Sequence, residues 1–514
     1  MMQRHLGAAI VLAVLTGCGG GGGGTGGGAL PQTTNPSQPS SSGPLPEPPV
    51  VLPKSGVATV QLTSQIDPAT GFPEFVYKGE RNTMPTIDVA PGDTIVVDVA
   101  NDLPSSGGRQ SDMNLHFHGL TVSPNPPGDD VVTTLALPGG TLHYVVKIPT
   151  NQEPGLYWYH PHVFPQTDYQ VGQAGMSGAI VIDGLEKHLP GLATMKEHVI
   201  IVRDTDVSVV QSSERRAKPN DEDSNGNPCG PDAGLQPSLN GAVRPTISIQ
   251  PGERQFFRVI NATGHKNLKL AVDGAPIDLV AVDGYALDVN SGTPPTESLS
   301  SFVVPPAARA EFVVTGPASG MSEFRTLCYD SGPTGDPDPE NILADLRSNG
   351  SGQSSKHSAR VAALRVGAPL PHNAFSGPMP AGTIQRTVVL NEDNNGMYIN
   401  GKMFNMNDGP MFTVHTGTTE RWSVVNITKE VHDFHMHQVH FLVQQINGTT
   451  IAHPYWQDSA VVPHRIPGVN GSWKPGYLTM LVDFRDPVIK GTFMFHCHIL
   501  DHEDSGMMAK IQAI

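Results

Sequence analysis

One unit is written three times along this chain, and it narrows the folds open to the polypeptide more than any other feature. Pro85-x-Ile87 leads to Pro91-Gly92-Asp93 and an alternating run that closes at Asn101. Pro245-x-Ile247 leads to Pro251-Gly252-Glu253 and closes at Asn261, and Pro410-x-Phe412 leads to Thr416-Gly417-Thr418 and closes at Asn426. Pro to Gly is seven residues and Gly to Asn nine in every copy, and the glycines lie 160 and then 165 residues apart. Runs such as Thr94-Ile95-Val96-Val97-Asp98-Val99 have the period of two that turns one face of a strand toward a core. A chain of 514 residues is too long for one ordinary core. Its 56 Gly and 47 Pro suit many short strands joined by tight turns. The expected fold is all-β, with three β-sandwich domains at 55–190, 191–370 and 371–514.

The chemistry lies in the histidines. Random placement of 21 His would give about one His-x-His pair. The chain has four, His116/His118, His160/His162, His435/His437 and His496/His498, and the third is preceded by His432. All lie in the first and third units. Gly155 to His162 matches Gly491 to His498 in spacing and in aromatic alternation, while the comparable middle stretch, Gly320 to Asp330, has no such pair. On a strand, residues i and i+2 share a face and i+1 takes the other. Cys497 therefore points away from His496 and His498. A Cys with His ligands and a long axial Met is the donor set of a blue-copper electron-transfer centre, and His432, His502 and Met507 complete one. The eight paired imidazoles can hold three further coppers with positions left open. By symmetry the two pairs of strands should face each other across a domain interface, with the middle domain as a spacer. Four coppers store the four electrons that reduce dioxygen to water.

These motifs are HFHG at 116–119, HPH at 160–162, HDFHMH at 432–437 and HCHILDHEDSGM at 496–507. Over roughly residues 55–514 the chain resembles the multicopper oxidases, most of all their three-domain bacterial laccase-like and copper-efflux members. The resemblance implies three consecutive cupredoxin-like Greek-key sandwiches and four coppers per chain. By motif position His116 and His435 resemble type 2 ligands. His118, His160, His162, His437, His496 and His498 resemble the ligands of the type 3 pair, and His432, Cys497, His502 and Met507 those of the type 1 site. Glu503 and Asp129 resemble family proton donors, with Asp130 an open alternative to Asp129. The implied partners are dioxygen and a small reductant: a phenol or aromatic amine, with Cu(I) or Mn(II) as the alternative. Met397, Met403, Met406 and Met411 read as packing residues rather than a cuprous-ion loop. A cupredoxin array that carries copper without reducing oxygen is the non-enzymatic alternative, but it leaves eight histidines without a use.

The remaining features concern placement. Gln3-Arg4-His5 precedes an apolar stretch, Leu6 to Leu15, too short to span a bilayer and of signal-peptide length. Leu15-Thr16-Gly17-Cys18 resembles a bacterial lipobox, so residues 1–17 are expected to be cleaved and Cys18 lipidated. An ordinary secretory signal is the alternative. Residues 18–54, rich in Gly and then Pro and Ser, read as a flexible tether. The expected location is the bacterial periplasm or cell envelope, with an outer-membrane lipid anchor as the sole membrane contact. A formal charge of −16 argues against nucleic-acid binding. Cys229 and Cys328 remain; export would let them pair, and two free thiols are the alternative. Asp330 to Lys356 reads as a mobile insertion, and His440, His453 and His464 as surface or packing residues.

Overall fold

The structure, a computed structural model, describes residues 43–105, 111–206, 229, 235–287, 295–318, 320–348 and 383–514. The expected signal segment and Cys18 lie outside the described residues. Strands dominate, and the one α-helix among the described residues is Leu500–Asp504. None of the helices described is long and apolar enough to cross a membrane.

The repeat accounts for the architecture. In each copy the first strand (Thr86–Val89, Thr246–Ser248 or Phe412–Val414) joins one sheet, and the second (Thr94–Asn101, Arg254–Asn261 or Thr418–Asn426) joins another. The glycine turn thus carries the chain from sheet to sheet, and Gly92, Gly252 and Gly417 take φ of +94°, +72° and +81° there, conformations that side chains disfavour. Each strand then finds a parallel partner: Thr86–Val89 pairs with Gly178–Ile182 and Thr94–Asn101 with Val57–Ile66. The same two parallel pairings recur in the other copies. Alternating side chains from the paired sheets close three large cores, around Val60, Phe75, Val97 and Tyr144, around Phe257, Phe312 and Phe324, and around Trp422, Phe434 and Phe495. Burying each such side chain contributes about 1.5–3 kcal/mol.

The asparagine that ends each repeat is buried and wired alike. Asn101 donates to the carbonyls of Ser111 and Ala136, Asn261 to those of Lys266 and Val304, and Asn426 to those of Glu430 and Val462. The Oδ1 of each accepts an N–H two residues on, from Leu103, Thr263 or Thr428. It fastens the loop that leads away from the strand, which in the third sandwich carries the chain to His432.

Two expectations are corrected. Part of the presumed tether is ordered: Val50–Val51 pairs with Thr86 and Ile87, and Leu45 is buried in the middle core. Apolar residues among the prolines supply the anchor. The presumed insertion contains a strand, Asn341–Arg347, paired on both sides, with Leu343, Ala344 and Leu346 buried. Its acidic neighbours, and Asp345 within it, obscured the strand. Cys229 and Cys328 form a disulfide, which resolves the open choice.

Candidate metal centre

Two antiparallel strand pairs with equivalent registers build the site. In the first sandwich His116–His118 pairs with Gly155–His160, placing His116 opposite His160. In the third, His432–Met436 pairs with Gly491–Cys497, placing His435 opposite His496 and Phe434 opposite Cys497. The two pairs meet: the rings of His116 and His437 stack at 3.8 Å and those of His118 and His435 at 3.9 Å. All eight imidazoles are at most 3% exposed.

Their donor atoms have the pattern of a metal site. Nε2 of His116, His160 and His435, Nδ1 of His118 and His437, and both nitrogens of His498 are buried without a hydrogen-bond partner in the chain. Leaving such atoms unpaired costs about 1–3 kcal/mol each, and coordination is the use that answers so many at once. Nε2 of His496 lies 3.2 Å from Nε2 of both His162 and His437, a convergence that suits one ion. Burial holds His116, His118, His160, His435, His437 and His498 below the usual imidazole pKa and lowers His162 to about 4, so their lone pairs are free for a metal.

Across the strand, Cys497 Sγ lies 3.7 Å from His432 Nδ1 and 3.8 Å from His502 Nδ1, with the two nitrogens 3.1 Å apart. Burial, then the nearby Asp433, pushes the Cys497 thiol well above its usual pKa; a bound cation is what would make it a thiolate. The N–H of Asp433 donates to Cys497 Sγ at 3.4 Å. Met507 is fully buried in the same core, and its carbonyl accepts the Cys497 N–H. The other ring nitrogen of His502, Nε2, lies 3.6 Å from Glu430.

The two adjacent acids separate. Asp129 accepts the Phe117 N–H at 2.9 Å and the Gln438 amide at 2.5 Å, and lies 2.9 Å from His116 Nδ1; burial raises its carboxyl to about 7. Asp130 instead caps its own turn through the N–H groups of Val132 and Thr133 and the hydroxyl of Thr134. Glu503 lies 3.1 Å from His496 Nδ1 and 3.5 Å from His162 Nε2, and accepts the Thr167 hydroxyl.

Family profiles described as multicopper oxidase match residues 65–187, 158–350 and 377–513. The chain belongs to the multicopper oxidase family. It is 27% identical over 484 residues to a laccase of Bacillus subtilis, covering 82% of this chain and 87% of the relative. A multicopper oxidase of Staphylococcus aureus is 25% identical over 435 residues, covering 83% and 81%. In fold it matches a multicopper oxidase of Campylobacter jejuni described as a metallo-oxidase, with a TM-score of 0.68, 22% identity and coverage of 93% and 97%. A laccase-like oxidase of Ochrobactrum matches with a TM-score of 0.69, 22% identity and coverage of 92% and 100%. This multicopper oxidase is a copper enzyme that uses oxygen as acceptor.

Some residues at the site carry no repeat or spacing signal. Asp458 bonds His118 and His435, Arg309 bonds Asp458, and Gln438 and Thr167 bond the two acids. The middle sandwich is thus more than a spacer. Glu430, two positions before His432, has no pattern of its own. His440 proves a buried packing residue, with Nε2 donating to the Asp283 carbonyl. Met397 and Met411 pack on the third core, Met406 on a smaller cluster, and Met403 is 41% exposed.

Proposed function

We propose that four one-electron oxidations of a small reductant at the His502 edge are balanced by reduction of one dioxygen, with four protons, to two waters at the eight-imidazole cluster. The observation that carries this is one strand holding Cys497 toward His432 and His502 while its neighbours His496 and His498 join the cluster. Copper, when bound, supplies the one-electron couple and the chemistry of oxygen reduction. His432, Cys497, His502 and Met507 would hold type 1 copper, and His116 and His435 type 2. His118, His160 and His498 would hold one type 3 ion, and His162, His437 and His496 the other. The backbone from Cys497 to its two flanking histidines is the covalent path between the sites. Asp129 on the His116 side and Glu503 on the His496 side are placed to pass protons inward.

For the reductant, the laccase-like reading comes first: a phenol or aromatic amine loses its electron through His502 and its proton to solvent. Similarity to the Bacillus laccase supports it. One observation favours cuprous ion as a second reading. Burial, then the neighbouring acids Glu392, Asp336 and Asp501, raises the Glu430 carboxyl well above its usual pKa, an acidic surround that a cation would relieve. The cavity beside His502 is also only about 10 Å³, room for a water or an ion. Comparing kcat/KM for a methoxyphenol and for Cu(I) on copper-loaded enzyme decides the order, and a preference for Cu(I) by orders of magnitude reverses it. Export and lipidation at Cys18 complete the proposal; mass spectrometry of the mature N-terminus tests them.

A further inference from the structure

Arg309 belongs to the middle sandwich, which supplies none of the eight imidazoles, yet its side chain is fully buried at the edge of the cluster. Nη1 and Nη2 donate to the two oxygens of Asp458 at 2.7 and 2.6 Å, and Nε donates to the carbonyl of Leu156 at 3.1 Å. Nη1 also lies 3.4 Å from Asp283, whose other oxygen accepts the Asp458 N–H at 3.0 Å. One guanidinium therefore ties together strand Gly155–His160 of the first sandwich, its own sandwich, and the loop at Asp458 of the third.

The far side of Asp458 reaches the histidines. Its Oδ1 lies 3.1 Å from His118 Nε2, and its carbonyl lies 2.8 Å from His435 Nδ1. Ser459 donates its hydroxyl to Oδ1, and His440 Nε2 lies 3.3 Å from Oδ2. A carboxylate gripped by two parallel guanidinium bonds cannot rotate without breaking both. With Nε2 engaged, His118 has only Nδ1 free, whereas His116, His160 and His435 keep Nε2 free. The last residue of the HFHG motif accommodates this packing: a Cβ on Gly119 would lie 2.3 Å from Arg309 Nη2 and 2.8 Å from Asp458 Oδ2.

We propose that Arg309 is a positioning residue for the copper cluster: by gripping Asp458 it fixes the His118 ring with Nδ1 toward the metal, so that docking of the middle sandwich completes a site to which it gives no ligand. The proposal rests on the cluster assignment above.

The test compares reconstituted wild type with Arg309→Lys, which cannot span both oxygens, and with the double variant Arg309→Met, Asp458→Asn. The double variant removes both charges of that pair together and keeps an acceptor for His118, while Asp283 keeps the backbone N–H groups of positions 309, 458 and 459. Copper per chain, blue absorption, the type 2 EPR signal and a chelator titration are read on each. The expected result is a retained blue centre, an altered type 2 signal and cluster coppers bound about 10–100-fold more weakly. Unchanged titration and EPR in both variants overturn the proposal. So does loss of the blue centre in step with the cluster, which would assign Arg309 to general folding stability. A wild-type chain that binds fewer than four coppers defeats the cluster assignment instead.

Discussion

The mononuclear site and the imidazole cluster are separated by the thickness of one strand, but they are assembled on different principles. The first takes His432, Cys497, His502 and Met507 from a single sandwich, with Cys497 inside that sandwich's own core. The second forms where the first and third sandwiches meet, and the middle one braces it through the grip of Arg309 on Asp458. A site built within one core should survive whatever preserves that core. One built across interfaces should respond to any change in docking.

Cys497→Ser breaks the comparison from the mononuclear side and has the largest expected effect: substrate oxidation and blue absorption are lost while metal analysis still finds the cluster coppers. Next come the acids. Glu503→Gln and Asp129→Asn should each slow oxygen consumption by about 10²-fold, with blue colour and its bleaching by substrate retained. Asp130→Asn should leave the rate alone and cost about 1 kcal/mol of stability through its turn, a contrast that urea unfolding and oxygen-electrode rates measure. Gly119→Ala attacks the braced side: its Cβ has no room beside Arg309, so stability should fall by roughly 3 kcal/mol. On mild heating its cluster coppers should leave before the blue centre. Glu430→Gln is the smallest, a several-fold change in KM worth about 1 kcal/mol, larger for Cu(I) than for a phenol if the cation reading holds.

The same division governs what the sequence reveals. The repeat and the His-x-His strands are legible because alternation along one strand is a local property, and Asn101, Asn261 and Asn426 mark its ends. Three of the blue-centre residues, Cys497, His502 and Met507, are close in sequence, and their donor chemistry names the metal. Asp458 and Arg309 are silent because their pairing, and the contact of Asp458 with His118, run between sandwiches. Asp129 could not be told from Asp130 by order, since both sit in one turn and only the folded chain shows which carboxyl meets His116. The strand Asn341–Arg347 was hidden by charge: Asp345 lies within it, buried against Arg244.

Copper content measured together with oxygen stoichiometry on the fully reconstituted chain is the most direct test. Four coppers per chain, with one dioxygen consumed for every four electrons taken from the reductant, is the predicted result. A single copper with no oxygen uptake would contradict the account at its centre.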